Sequence, residues 1–219
     1  GPNSRKVLEK IVRDDVSNEK FKFRDSRRMF VGGVPAIINR ISFTGELGYE
    51  IYVAPHYQLK LYEELMKAGK EFNIKPFGGR ALMSMRLEKN WGAWTLDYRP
   101  DFTAKETGLD AFINWDKEFI GKESAQKENS SNKLVPLIVE TNEIDVTNNE
   151  AVLNGDQSIG YVTSGGFAHF VNKSVAFTFV DQKKIKSENK IQVEINGDLF
   201  NCSIIKEPLY DPSGQKMRS

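Results

Sequence analysis

From Arg27 to Phe43 two apolar runs flank a Gly32-Gly33 pair: Arg28-Met29-Phe30-Val31 before it, and Val34 to Phe43 after it. That pattern predicts a β-hairpin, with Pro35 tolerated near the start of the second strand. In the next stretch, Thr44 to Val53, Gly45 and Gly48 bracket a turn and a further strand follows. Its alternation puts Tyr49, Ile51 and Val53 on one face and Glu50 and Tyr52 on the other. Ahead of the hairpin, Val7, Leu8, Ile11 and Val12 recur at helical spacing from an Asn3 or Ser4 cap through Arg13. Beyond Pro55, Tyr57–Phe72 reads as an amphipathic helix with Leu61, Leu65 and Ala68 on one stripe. A second helix is predicted over Arg80–Asn90, with Leu82, Met83, Met85 and Leu87 on its buried side.

An aromatic segment, Trp91-Gly92-Ala93-Trp94-Thr95-Leu96-Asp97-Tyr98, comes next. Thr103–Gly108 predicts a helical turn, Leu109–Trp115 a strand and Lys117–Gln126 a short helix. The polar stretch Lys127–Lys133 has no periodicity and reads as a linker. Beyond it the pattern changes to six short strands, Leu134–Glu140, Glu150–Leu153, Gln157–Ser164, Ser174–Val180, Lys190–Ile195 and Asp198–Ile205. Asn154-Gly155, Gly165-Gly166 and Asn196-Gly197 are the turn signals, so a small antiparallel barrel or a sandwich is expected. The fold class is therefore α+β: an antiparallel sheet with flanking helices over 1–127, then a small C-terminal antiparallel β-barrel over 133–207.

Composition narrows the function classes. Lys+Arg 31 against Asp+Glu 30 leaves no electrostatic footprint for nucleic acid or an acidic membrane surface. No apolar run approaches a membrane-spanning helix. One cysteine, Cys202, excludes an internal disulfide framework and fits a reducing compartment, so the cytoplasm is expected. Its strand context points to a buried structural thiol. Two histidines far apart, His56 and His169, give no zinc site. Neither a Gly-x-Ser-x-Gly elbow nor a P-loop is present.

Three charged residues carry candidate chemistry. A carboxylate in a hydrophobic strand is costly to bury without donors. Glu50 therefore faces water, pairs with an arginine of the chain, or accepts from a ligand with two adjacent N–H groups, as a pterin edge offers. Arg80 stands at a helix N-terminus, where the dipole disfavours a cation, and so asks for an acceptor-rich partner. Arg86, six positions later and on another face, is expected to form a structural ion pair with a carboxylate of the aromatic segment. Trp91 and Trp94 can wall a flat pocket or plug a domain interface.

Several segments together resemble the folate-binding module shared by the glycine cleavage T-protein and the C-terminal halves of dimethylglycine and sarcosine dehydrogenases. They are Gly1-Pro2-Asn3-Ser4-Arg5, Thr44 to Ile51, Gly79 to Lys89, Phe119-Ile120-Gly121-Lys122 and Gly160 to Gly166. Trp91 to Asp97, Ser164 to His169 and Lys173 to Ala176 look more like the dimethylglycine dehydrogenase branch.

The resemblance implies an aminomethyltransferase that binds tetrahydrofolate and passes a one-carbon unit from an amine donor to it, giving methylene-tetrahydrofolate. It implies Glu50 on the pterin edge, Arg80 on the same ring, and Trp94 and Tyr49 as further cofactor-binding residues. A small-molecule amine donor is implied as a partner, as is an FAD-containing oxidase domain or partner chain. The family's catalytic aspartate belongs to an earlier stretch that this chain lacks. Asp25 and Asp97 do not match its position, so the catalytic residue is unassigned. Two alternatives stay open: a non-catalytic folate-binding or scaffold protein, as in the superfamily branch serving iron–sulfur cluster assembly, and an incomplete fragment of a larger dehydrogenase.

Overall fold

Gly32 and Gly33 both adopt positive φ, 58° and 79°, the backbone that lets a two-residue turn follow the twist of its flanking strands. In the computed structural model, which describes residues 1–141 and 143–219, this turn joins β1 (Ser26–Val31) to β2 (Val34–Asn39). Strand β3 (Glu50–Tyr52) pairs antiparallel with β2, placing Tyr52 opposite Ile37 and Glu50 opposite Asn39. The chain divides into two compact units, Gly1–Met85 with Asp211–Ser219, and Arg86–Tyr210.

The first unit buries one face of this three-stranded sheet. Met29, Val31, Ala36 and Ile38 point inward and join Leu8 of α1 (Ser4–Glu9), Val16, Phe21 and Leu61 of α2 (Gln58–Gly69) in a single core. Apart from Ala36, each such side chain contributes on the order of 1.5–3 kcal/mol. The other face is open: Phe30, Ile37 and Tyr52 stay exposed. Together with Arg28 and Pro35 they line a groove of about 640 Å³. Buried Arg40 is held by backbone carbonyls, those of Phe21, Arg218 and Ser219. The helix expected through Arg13 is regular only to Glu9; Lys10 N and Ile11 N then make tighter i→i−3 bonds to the Val7 and Leu8 carbonyls, and the Ile11 carbonyl accepts from Gly32 N at 2.7 Å. Of the expected Thr44–Val53 strand, only Glu50–Tyr52 pairs.

Helix α3 (Gly79–Glu88) runs across the boundary between the units. Its buried residues are Arg86, Leu87 and Glu88; of the expected apolar stripe Leu87 is buried, whereas Leu82, Met83 and Met85 are half-buried.

The second unit is built on a closed barrel. Helix α4 (Lys122–Lys127) precedes β4 (Asn132–Val139), β5 (Ala151–Asn154), β6 (Gln157–Ala168), β7 (Lys173–Asp181), β8 (Ile191–Ile195) and β9 (Asp198–Ile204). The strands close in the order β4-β7-β6-β5-β8-β9. The alternatives from the sequence thus resolve to a barrel, filled by Leu137, Val139, Val152, Val162, Val193, Ile195 and their neighbours. Helix α5 (Gln215–Arg218) returns to the first unit.

Two expectations fail here. Gly165 and Gly166 do not end a strand; they lie inside β6, paired with Ala176 and Val175. A Cβ on Gly165 would sit 2.6 Å from the Val146 carbonyl, so the small residue serves a close backbone approach. Residues 109–115 form no strand: Leu109 N and Asp110 N donate to Ala104 O, and Phe112 N donates to Leu109 O. With its donors spent locally, the segment makes a 3₁₀ turn over Asp110–Phe112.

Candidate functional site

The outer face of β3 displays a carboxylate beside a phenol. Glu50 is half-buried, and its Oε2 accepts from the Tyr52 hydroxyl at 2.5 Å. That bond pushes the Tyr52 phenol above its ordinary value, with the Glu50 charge adding to it. Among the described residues Glu50 forms no ion pair with an arginine. Sequence alternation placed Tyr52 on the Glu50 face without giving it a role; the signal was the i, i+2 spacing on one strand.

Tyr49 belongs to the opposite side. Its ring stacks on Phe21 with centroids 5.8 Å apart, partly buried against the core of the first unit. Burial raises its phenol, and the Arg5 and Arg40 charges offset part of that rise. Arg80, the second residue of α3, is exposed and has no hydrogen-bond or ion-pair partner among the described residues. The structure therefore turns Glu50 and Tyr49, the residue just ahead of β3, to opposite sides.

Trp94 lies in the second unit and is 77% exposed, its ring edge-on to Tyr98 at 5.7 Å. The expected ion pair of Arg86 is present: Arg86 Nη1 donates to Asp97 Oδ2 at 2.6 Å, with both side chains fully buried. Burial lowers the Arg86 guanidinium, against the raising effect of the Asp97 charge. Thr163 and Ser164 also donate to Asp97, a pairing that sequence reasoning missed because it joins positions 66 and 67 residues apart. Asp97 is thus fully engaged. Asp25 pairs with Arg27 at 3.3 Å and accepts from Lys22 N.

His169 is exposed against the edge of Phe167, and His56 is exposed beside Tyr57. Cys202 is partly buried against the barrel core, where burial pushes its thiol up to about 12. No helix is long and apolar enough to cross a membrane among the described residues.

Comparison with known proteins settles the family. Residues 1–117 match the family model described as the GCVT N-terminal domain, and residues 132–211 match the glycine cleavage T-protein C-terminal barrel domain. The chain belongs to the glycine cleavage T-protein family. It is 35% identical over 214 residues to human mitochondrial dimethylglycine dehydrogenase, covering 95% of this chain and 25% of that protein. It is 33% identical over 218 residues to an aminomethyltransferase of Bacillus mycoides, covering 97% of this chain and 59% of that one. The chain thus spans a quarter of the dehydrogenase and under two thirds of the transferase. In fold it is similar to the crystal structure of glycine cleavage system aminomethyltransferase T from Bartonella henselae, with a TM-score of 0.72 and 24% identity over 81% of this chain and 50% of that one.

Proposed function

We propose that this chain is a tetrahydrofolate-dependent, aminomethyltransferase-type module that passes a one-carbon unit from an amine donor to the folate. Residues 1–127 would form the C-terminal portion of the folate-binding domain and 133–207 the small barrel domain. The observation that carries the reading is the Glu50 carboxylate, held on the open face of a sheet in a chain of this family and partnered by Tyr52 without a competing cation. A half-buried carboxylate in that setting suits a ligand with two adjacent N–H donors, as a pterin has. Tetrahydrofolate, when bound, supplies the nucleophilic nitrogen that receives the carbon.

The chain's own residues would bind and orient. Glu50 accepts from the ring edge, and Tyr52 holds the carboxylate in place. Arg80, a cation without a partner among the described residues, answers an acceptor on the same ring. Trp94 provides a stacking face. Tyr49 acts from beneath, fixing β3 through its contact with Phe21. We also propose a small-molecule amine donor, an FAD-containing oxidase domain or partner chain as its source, and a cytoplasmic setting. The dehydrogenase relative, four times the matched length, supports a partner of that kind.

The test is a titration with 5-formyltetrahydrofolate, followed by quenching of tryptophan emission, beside Glu50→Ala. Saturable quenching that disappears in the variant supports the reading. Absent quenching, or quenching indifferent to Glu50, overturns it. Binding with no transfer from dimethylglycine, sarcosine or an aminomethyl donor would favour a non-catalytic folate-binding protein.

A further inference from the structure

The segment between α3 and the barrel contains more buried polar chemistry than a connecting loop requires. Asp97 is completely buried and its two oxygens accept four hydrogen bonds. Oδ2 takes Arg86 Nη1 at 2.6 Å and Ala93 N at 2.8 Å; Oδ1 takes Thr163 Oγ1 at 2.5 Å and Ser164 Oγ at 2.7 Å. Arg86 Nη1 also donates to the Trp91 carbonyl at 3.0 Å. The backbone closes on itself, with Asp97 N and Tyr98 N both donating to Ala93 O, and Thr95 N donating to Tyr98 O. Thr95, a β-branched residue, is held at φ 69°, a conformation that persists only when its surroundings over-determine it. At the tip of this braced loop stands Trp94, 77% exposed.

Net stability does not account for the arrangement. A buried ion pair is rarely more stabilising than apolar side chains of the same volume. Arg86 also leaves its buried Nε and Nη2 without hydrogen-bond partners, a further cost. What such a network supplies is one defined geometry, and the group whose geometry it defines is an exposed indole. An aromatic ring held still before binding loses less freedom when a flat ligand stacks on it.

We propose that Arg86, Asp97, Thr163 and Ser164 form a positioning clamp that fixes the Trp91–Tyr98 loop and presents Trp94 as a rigid stacking face for a planar heteroaromatic ligand. The proposal rests on the folate reading of Trp94 given above. It makes two barrel hydroxyls, distant in sequence from every ligand residue, determinants of ligand affinity.

The test uses the full chain carrying Trp91→Phe and Trp115→Phe, which keeps the Trp91 carbonyl and leaves Trp94 as the sole indole. Ser164→Ala and Thr163→Val each remove one donor to Asp97, and Thr163→Ser keeps it. Time-resolved anisotropy reads the local motion of Trp94, and titration with 5-formyltetrahydrofolate reads affinity. The expected result is faster local motion and a Kd raised about fivefold in Ser164→Ala and Thr163→Val, the scale of one lost hydrogen bond, with parent values in Thr163→Ser. A lower unfolding midpoint with unchanged anisotropy and Kd would show a purely structural network and overturn the clamp. Faster Trp94 motion in Ser164→Ala, together with parent-like affinity of Trp94→Ala for 5-formyltetrahydrofolate in equilibrium dialysis, would overturn the positioning role through the folate reading instead, so the two failures are told apart.

Discussion

Glu50 and Arg86 are both charged residues in apolar stretches, and the structure treats them in opposite ways. Glu50 sits at the open edge of its strand with a phenol for company; Arg86 is sealed inside with Asp97. Removing the Tyr52 hydroxyl by Tyr52→Phe frees the Glu50 carboxylate to rotate, so affinity for 5-formyltetrahydrofolate is expected to fall about threefold while the fold is retained. Glu50→Gln, which swaps an acceptor oxygen for a donor, should cost more in the same titration. Arg86→Met leaves Asp97 buried without its counter-ion, and urea denaturation should show a loss of about 3–5 kcal/mol. Replacing Asp97 as well should recover part of that loss, because the uncompensated charge goes with it. The Arg86 pair was legible in the sequence as a basic residue ahead of an aromatic loop containing one aspartate. Its hydroxyl donors were not, since nothing local links Thr163 to Asp97.

At the level of elements, the hairpin, α2 and the six barrel strands were readable because period-2 and period-3.6 patterns and glycine turns are local signals. The apolar content of residues 109–115 predicts a strand, but backbone donors of this segment are used by the Ala104 and Leu109 carbonyls, so it makes a turn instead. The polar 127–133 stretch is likewise ordered: Ser130 Oγ donates to Glu106 Oε1 at 2.5 Å, and Lys133 Nζ donates to Lys105 O at 2.5 Å. Burial alone would raise the Glu106 carboxyl, but hydrogen bonds from Ser130 and Thr103 outweigh it and hold the group below its ordinary 4.5. The unfolded chain then binds more protons than the folded one. The stabilisation is present above that value and lost as pH falls through the folded one. Glu106→Gln is therefore expected to be less stable than the parent at pH 7, with the gap closing below about pH 4 in urea midpoints. In β6, a Cβ at Gly160 would collide with the Phe179 carbonyl across the β6–β7 pair. Gly160→Ala should destabilise the barrel by on the order of 3 kcal/mol or more, read as an earlier thermal unfolding transition.

Over the whole molecule, all three tryptophans, Trp91, Trp94 and Trp115, lie in the Arg86–Tyr210 unit, while α1, α2 and the hairpin sheet lie in the other. Tryptophan emission therefore reports the barrel unit, and far-UV ellipticity weighs the helices of the first. Ile38→Ala, in the core of the first unit, is expected to move the ellipticity midpoint more than the emission midpoint, and Gly160→Ala the reverse. Coincident shifts for both variants would show that the two units unfold as one. The sequence by itself determined the α+β class, the antiparallel hairpin, the run of barrel strands and the family, because those depend on patterns a few residues long or on motifs in fixed order. Only the tertiary structure decided the order in which the barrel strands close, β4-β7-β6-β5-β8-β9, that the Tyr49 ring packs on Phe21 while the Tyr52 hydroxyl donates to Glu50, and that Asp97 is held by residues from β6. Those outcomes depend on which distant groups reach one another once apolar surface is buried, and the order of residues along the chain does not encode that distance.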